Sequence, residues 1–69
     1  MNAIITIAPH GQRFKIVIDE GLITNTSYRD EYHKALIKAA AAGVTFRQRG
    51  IPFTVVNEVK HVQSAKAHL

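Results

Sequence analysis

The chain has 69 residues, 46% of them hydrophobic and 20% charged, with no cysteine and a formal net charge of +4. That is one small domain, able to bury only about 60% of its unfolded surface, yet too apolar for intrinsic disorder. The missing cysteine excludes a disulfide frame, a thiolate zinc site and a cysteine nucleophile, and the basic balance favours an acidic partner, phosphate or carboxylate.

No run approaches the ~20 apolar residues of a membrane span. The opening MNAIITIAP has no basic n-region and too short an apolar run for a secretory signal. A cytoplasmic location is expected, the host cytoplasm if the protein is viral. The sequence contains no internal repeat, linker or low-complexity run, so residues 1–69 read as a single domain.

Residues 2–8 and 13–19 are rich in Ile, Val, Phe and Thr and bracket Pro-His-Gly-Gln, which predicts a β-hairpin. With His10-Gly11 as a two-residue turn, Ile7 faces Phe14, Ile5 faces Ile16 and Ala3 faces Ile18. The other face pairs Ala8 with Arg13, Thr6 with Lys15 and Ile4 with Val17. One face is wholly apolar and the other mixed, the pattern of a sheet buried on one side.

A helix is expected next, from Thr26 or Ser27 to Gly43. Ser27-x-x-Asp30 resembles a capping box. Asp30 and Glu31 fall in the first turn and Lys34 and Lys38 later, as the helix dipole favours, and Gly43 is a natural stop. Tyr28, Tyr32, Ala35, Leu36 and Ala39 share one face of this helix.

Residues 44–56 predict a second hairpin around Arg49-Gly50, with Phe46 facing Phe53, Val44 facing Val55, Thr45 facing Thr54 and Arg47 facing Pro52. The tight form asks Arg49 for a positive φ, which is costly in a non-glycine residue, and a four-residue loop keeps the same faces. Pro52 lacks an N–H and marks its strand as an edge. Residues 58–69 read as a frayed tail, a short helix or an extension of strand four.

The expected fold is therefore α+β, in the order ββαββ: a four-stranded, mainly antiparallel sheet with one helix packed on one face. Its core is Ala3, Ile5, Ile7, Phe14, Ile16, Ile18, Leu36, Ala39, Val44, Phe46, Phe53 and Val55, with a tyrosine from the helix. One helix covers one face, so the second is open.

Chemistry is sparse. His10, His33, His61 and His68 stand at no metal-ligand spacing, Ser27 reads as a cap, and no Gly-rich phosphate loop is present. No metal, cofactor or catalytic residue is assigned, and the protein reads as non-enzymatic. The one enzymatic alternative is a metal-independent ribonuclease built on His10 and Arg49.

The open face carries the binding candidates: Arg13, Lys15, Arg47 and Arg49 for electrostatic contact, and Ile4, Val17 and Val56 for apolar contact. Apolar residues ringed by arginine fit a protein interface, so the first expectation is a small basic protein that docks on a macromolecular partner and modulates it. The alternative is direct DNA or RNA binding by the basic hairpin face. Against that alternative, all three Phe point inward and both Tyr lie on the helix face assigned to the core, leaving no aromatic platform for single strands. As an edge, strand four offers pairing with another chain, and homodimerisation through the sheet is a variant of this.

No motif identifies a family. The size, the ββαββ order and the lack of a catalytic constellation are similar to those of small phage-encoded proteins that block host machines, among them inhibitors of RNA polymerase and of CRISPR surveillance complexes. The likeness is one of architecture and rests on no matching residue. It implies an inhibitor of a host nucleic-acid-handling complex.

Overall fold

A computed structural model describes residues 2–59. Four strands and one helix follow in the order β1 (Ala3–His10), β2 (Arg13–Asp19), β3 (Thr24–Arg29), α1 (Tyr32–Arg49) and β4 (Phe53–Asn57). The sheet order is β3-β2-β1-β4. The fold is α+β as expected, a four-stranded sheet with one helix on one face. β1 and β2 pair antiparallel, as do β2 and β3, while β4 joins β1 in parallel.

The first hairpin forms where the alternation places it, with a shifted turn. His10 pairs with Arg13, Ile7 with Ile16 and Ile5 with Ile18, so Gly11-Gln12 is the connection and not His10-Gly11. Gly11 has φ +61°, and among the described residues no non-glycine residue has a positive φ. A positive φ at the first central residue alone is the II′ pattern, and it calls for glycine there. The change moves each partner by two residues, so every side chain keeps its expected face.

The third strand precedes the helix. Gly21 (φ +97°) donates its N–H to Asp19 Oδ1 at 2.8 Å, and Glu20 donates to the Ile23 carbonyl at 2.9 Å. This turn sends residues 24–29 back along β2, from Asp19↔Thr24 to Phe14↔Arg29. Thr26 and Ser27 are therefore strand residues and not helix caps. The helix begins at Tyr32 with Glu31 as N-cap (φ −124°, ψ 142°), without a side-chain cap bond.

The helix also runs past its expected stop. Ala35, Ala39, Gly43 and Phe46 are its buried residues, a stripe at helical spacing that passes through Gly43. A Cβ on Gly43 would lie 3.1 Å from the Phe53 ring, so this glycine serves close packing, not termination. The stop is Gly50 (φ +72°). Gly50 N–H donates to the Arg47 carbonyl at 3.1 Å and Ile51 N–H to the Phe46 carbonyl at 2.8 Å, a Schellman motif. The expected hairpin over residues 44–56 is thus the last turns of α1, its cap, and β4. Thr45 donates its hydroxyl to the Ala41 carbonyl at 3.1 Å within the helix. The helix supplies the long crossover that a parallel strand requires.

Ala3, Ile5, Ile7, Ile16, Ala35, Ala39, Phe46 and Val59 form the buried core, bordered by Phe14, Ile18, Tyr32, Ala42, Ile51 and Phe53. Leu36, Val44 and Val55, expected in the core, are 37%, 49% and 50% exposed. They line a groove between α1 and β4 instead. Val59 is buried: Glu58 N–H donates to the Ile7 carbonyl at 2.8 Å, and Val59 N–H donates to Asn57 Oδ1 at 2.9 Å. The rest of the expected tail, residues 60–69, lies outside the described residues.

The Gly50 cap gives a clean test. A Cβ there meets nothing within 4 Å, so Gly50→Ala adds no clash and leaves only the left-handed backbone penalty. It should cost about 1–2 kcal/mol, read from the urea midpoint. An unchanged midpoint would mean that the helix does not end on this residue.

Candidate functional site

Among the described residues, nothing covers the sheet face away from α1. Pairing sorts its residues into rows that cross the strands. Thr24, Asp19, Ile4 and Thr54 make the first row, and Thr26, Val17, Thr6 and Val56 the second. Tyr28, Lys15 and Ala8 make the third, and Arg13 and His10 the fourth. Neighbouring rows lie roughly 7 Å apart along the strands.

The rows divide the face by chemistry. The first two hold Ile4 (44% exposed) and Val56 (38% exposed), with Val17 and four threonines. Asp19 stands at this end, its carboxylate accepting the Gly21 N–H. The last two rows are basic and aromatic. The His10 and Tyr28 rings lie 4.9 Å apart, tilted by 49°. The Arg13 guanidinium sits 5.9 Å from the centre of the Tyr28 ring, a cation–π distance. Lys15 is the direct cross-strand partner of Tyr28. Arg13 Nε also donates to Asp30 Oδ1 at 3.1 Å, and both side chains remain largely in solvent, where such a pair adds little to stability.

Five expected contact residues therefore share one surface: Arg13 and Lys15 at its basic end, Ile4, Val17 and Val56 at its apolar end. Arg47 and Arg49 do not join them. They belong to α1 and stand in the other layer. Arg47 borders the groove with Leu36, Val44, Phe53 and Val55. Arg49 lies beside Glu20, Asn25 and Lys38. The helix start is anchored near Arg13, because Tyr32 packs on Phe14 at 5.6 Å and accepts a 2.6 Å bond from Asn57 Nδ2. About 22 Å of helix axis separates Tyr32 from Arg47. His10 and Arg49 thus occupy opposite ends of the molecule, and the pair imagined for a ribonuclease is not assembled.

Tyr28 is the contribution that sequence reasoning missed, and His10, weighed there only for a metal or a ribonuclease, joins it. Tyr28 is displaced there by its assignment to the helix. The signal for it was the alternation Thr24-x-Thr26-x-Tyr28, with β-favouring residues at every second position. Among the described residues, no group of three His, Asp or Glu side chains could hold a metal ion. No helix among them is long and apolar enough to cross a membrane.

Compared with models of known protein families, with curated proteins and with solved structures, the chain matches none. What it does has to be read from the face itself.

Proposed function

We propose that this is a non-enzymatic binding module that takes single-stranded nucleic acid across the open sheet face. The observation that carries the reading is Tyr28, exposed on that face with His10, Arg13 and Lys15 around it. A base stacks on an aromatic side chain whatever its identity, for about 1–3 kcal/mol. Lys15 and Arg13 neutralise the adjoining phosphates. Thr6, Thr24, Thr26 and Thr54 line the path onward across the strands and offer hydroxyls to sugars and phosphates. A splayed single strand fits this surface better than a duplex, whose bases are already stacked.

The test is fluorescence anisotropy with single-stranded RNA and DNA of about 10 nucleotides and with a duplex of matching sequence. Single strands should bind more tightly than the duplex. With two or three phosphates neutralised, affinity for single strands should fall about 7- to 18-fold between about 50 and 200 mM salt. Binding too weak to detect at the lowest salt, or a preference for the duplex, would remove the reading.

A second reading has its own support. Val17 and Val56 flank Thr6 in one row, with Ile4 in the next, an apolar strip beside a basic one. That strip suits docking on a protein partner, in the manner of a phage-type inhibitor of a host nucleic-acid-handling complex. On this reading Val56→Asp should abolish binding to the partner, and capture from host lysate should survive nuclease treatment. On the nucleic-acid reading Val56→Asp weakens oligonucleotide binding no more than a lost phosphate contact does.

A further inference from the structure

Among the described residues β4 is an edge of the sheet, and no charged side chain lies within it. Natural edges are blunted by charged side chains, bulges or short, covered strands. The other edge, β3, ends in Arg29, whereas FTVVN carries no charge.

The backbone groups of β4 without a partner among the described residues can be named. Ala3 N–H donates to the Pro52 carbonyl at one end of the β1–β4 ladder, and Glu58 N–H donates to the Ile7 carbonyl at the other. Bonding alternates along a strand, so Pro52, Thr54, Val56 and Glu58 bond inward to β1. The N–H and C=O groups of Phe53, Val55 and Asn57 point outward. Their side chains lie on the helix side, where Phe53 and Val55 form the floor of a groove of about 360 Å³. Val55 sits midway along the strand and is 50% exposed.

We propose that β4 pairs antiparallel with the β4 of a second copy, about a two-fold axis at Val55. Val55 then faces Val55 of the second copy, and Phe53 faces its Asn57. Each of the three pairs, 53 with 57, 55 with 55 and 57 with 53, is a hydrogen-bonded pair that exchanges two backbone bonds. The charges select this partner and this direction. Glu58 follows the strand at one end, while Arg47, which borders Phe53 and Val55, stands near the other. Antiparallel self-pairing brings each Glu58 to the arginine end of the other copy, and parallel self-pairing would bring like charges together. An isologous contact of this kind closes on itself and does not grow into a filament. The product is one eight-stranded sheet with both open faces on the same side.

The experiment is sedimentation equilibrium on the full chain, with circular dichroism as a fold check. The wild type should be dimeric. Val55→Lys and Val55→Glu each set like charges opposite one another on the axis and should each be monomeric, with a dissociation constant raised at least about tenfold. An equimolar mixture of the two should regain the dimer, because Lys then faces Glu. Should either Val55 variant fail to fold, Glu58→Lys, at an exposed position, reports the same interface and should also weaken the dimer. A wild type that stays monomeric to millimolar concentration overturns the proposal, whatever else occupies the edge. A dimer indifferent to Val55→Lys and Glu58→Lys overturns it as well, as does a mixture that remains monomeric.

Discussion

Phe46→Ala is expected to remove about 3–5 kcal/mol of stability, the range for deleting a buried aromatic side chain. A domain of this length has about 3–10 kcal/mol in total, so the variant should lose most of its folded population. Phe46 is 3% exposed and closes the helix stripe that begins at Ala35. Its ring stacks against Phe53 at 5.9 Å, and Ile51, the residue after the Gly50 cap, packs on the same cluster. Removing it empties the junction of α1, its cap and β4 together. Val44→Ala is the informative control. Two residues earlier on a strand, Val44 would point the same way as Phe46 and cost nearly as much. On a helix it lies about 200° away, is 49% exposed, and its replacement by the best helix former should change stability by less than about 1 kcal/mol. Urea midpoints of the two variants settle the comparison. Similar losses would mean that residues 44–46 are extended.

The same residues show why part of the fold was legible and part was not. β1 and β2 alternate strictly, so their faces could be assigned even with the turn misplaced by one residue, because parity survives a two-residue shift. Arg13, Lys15, Ile4 and Val17 fell on the open face for that reason alone. β3 has no apolar side to alternate. Thr, Asn, Ser and Tyr in that order satisfy an edge strand, yet they also resemble the polar lead-in to a helix. The two readings differ in whether the chain bonds to β2, a long-range fact. The helix end failed on a choice between two glycines. Gly43 and Gly50 look alike in sequence, and only the Phe53 ring against one and the left-handed φ of the other assign their roles. β-branched Val44 and Thr45 then read as strand, although Phe46 completes the helical stripe. Losing the helix end placed Arg47 and Arg49 on the wrong layer. Misplacing the helix start hid Tyr28, the residue on which the functional reading now turns. The parallel docking of β4 on β1 has no local signature, since it depends on where a long crossover returns.

Tyr28→Ala is expected to weaken single-strand binding by about 1–3 kcal/mol, the stacking contribution of one base, which is about 5- to 150-fold. The fold should hold, because Tyr28 is a partly exposed residue on an edge strand. Tyr28→Phe keeps the ring and should bind nearly as well as the wild type, which separates stacking from a hydroxyl contact. Lys15→Ala should act differently. It removes one phosphate contact, so affinity drops for every sequence and the slope of log affinity against log salt flattens by about 0.7. Asp30 supplies a prediction of opposite sign. Its carboxylate accepts the Arg13 Nε–H at 3.1 Å and competes with any phosphate for that guanidinium, so Asp30→Asn should tighten oligonucleotide binding and steepen its salt dependence. Loss with Tyr28→Ala, retention with Tyr28→Phe and gain with Asp30→Asn together describe a strand stacked at the basic end of the sheet. Indifference to Tyr28 alongside strong sensitivity to Val56→Asp would move the contact to the apolar end, where a protein surface is the better fit. The two ends share one face but present different chemistry, and these four side chains report which end carries the partner.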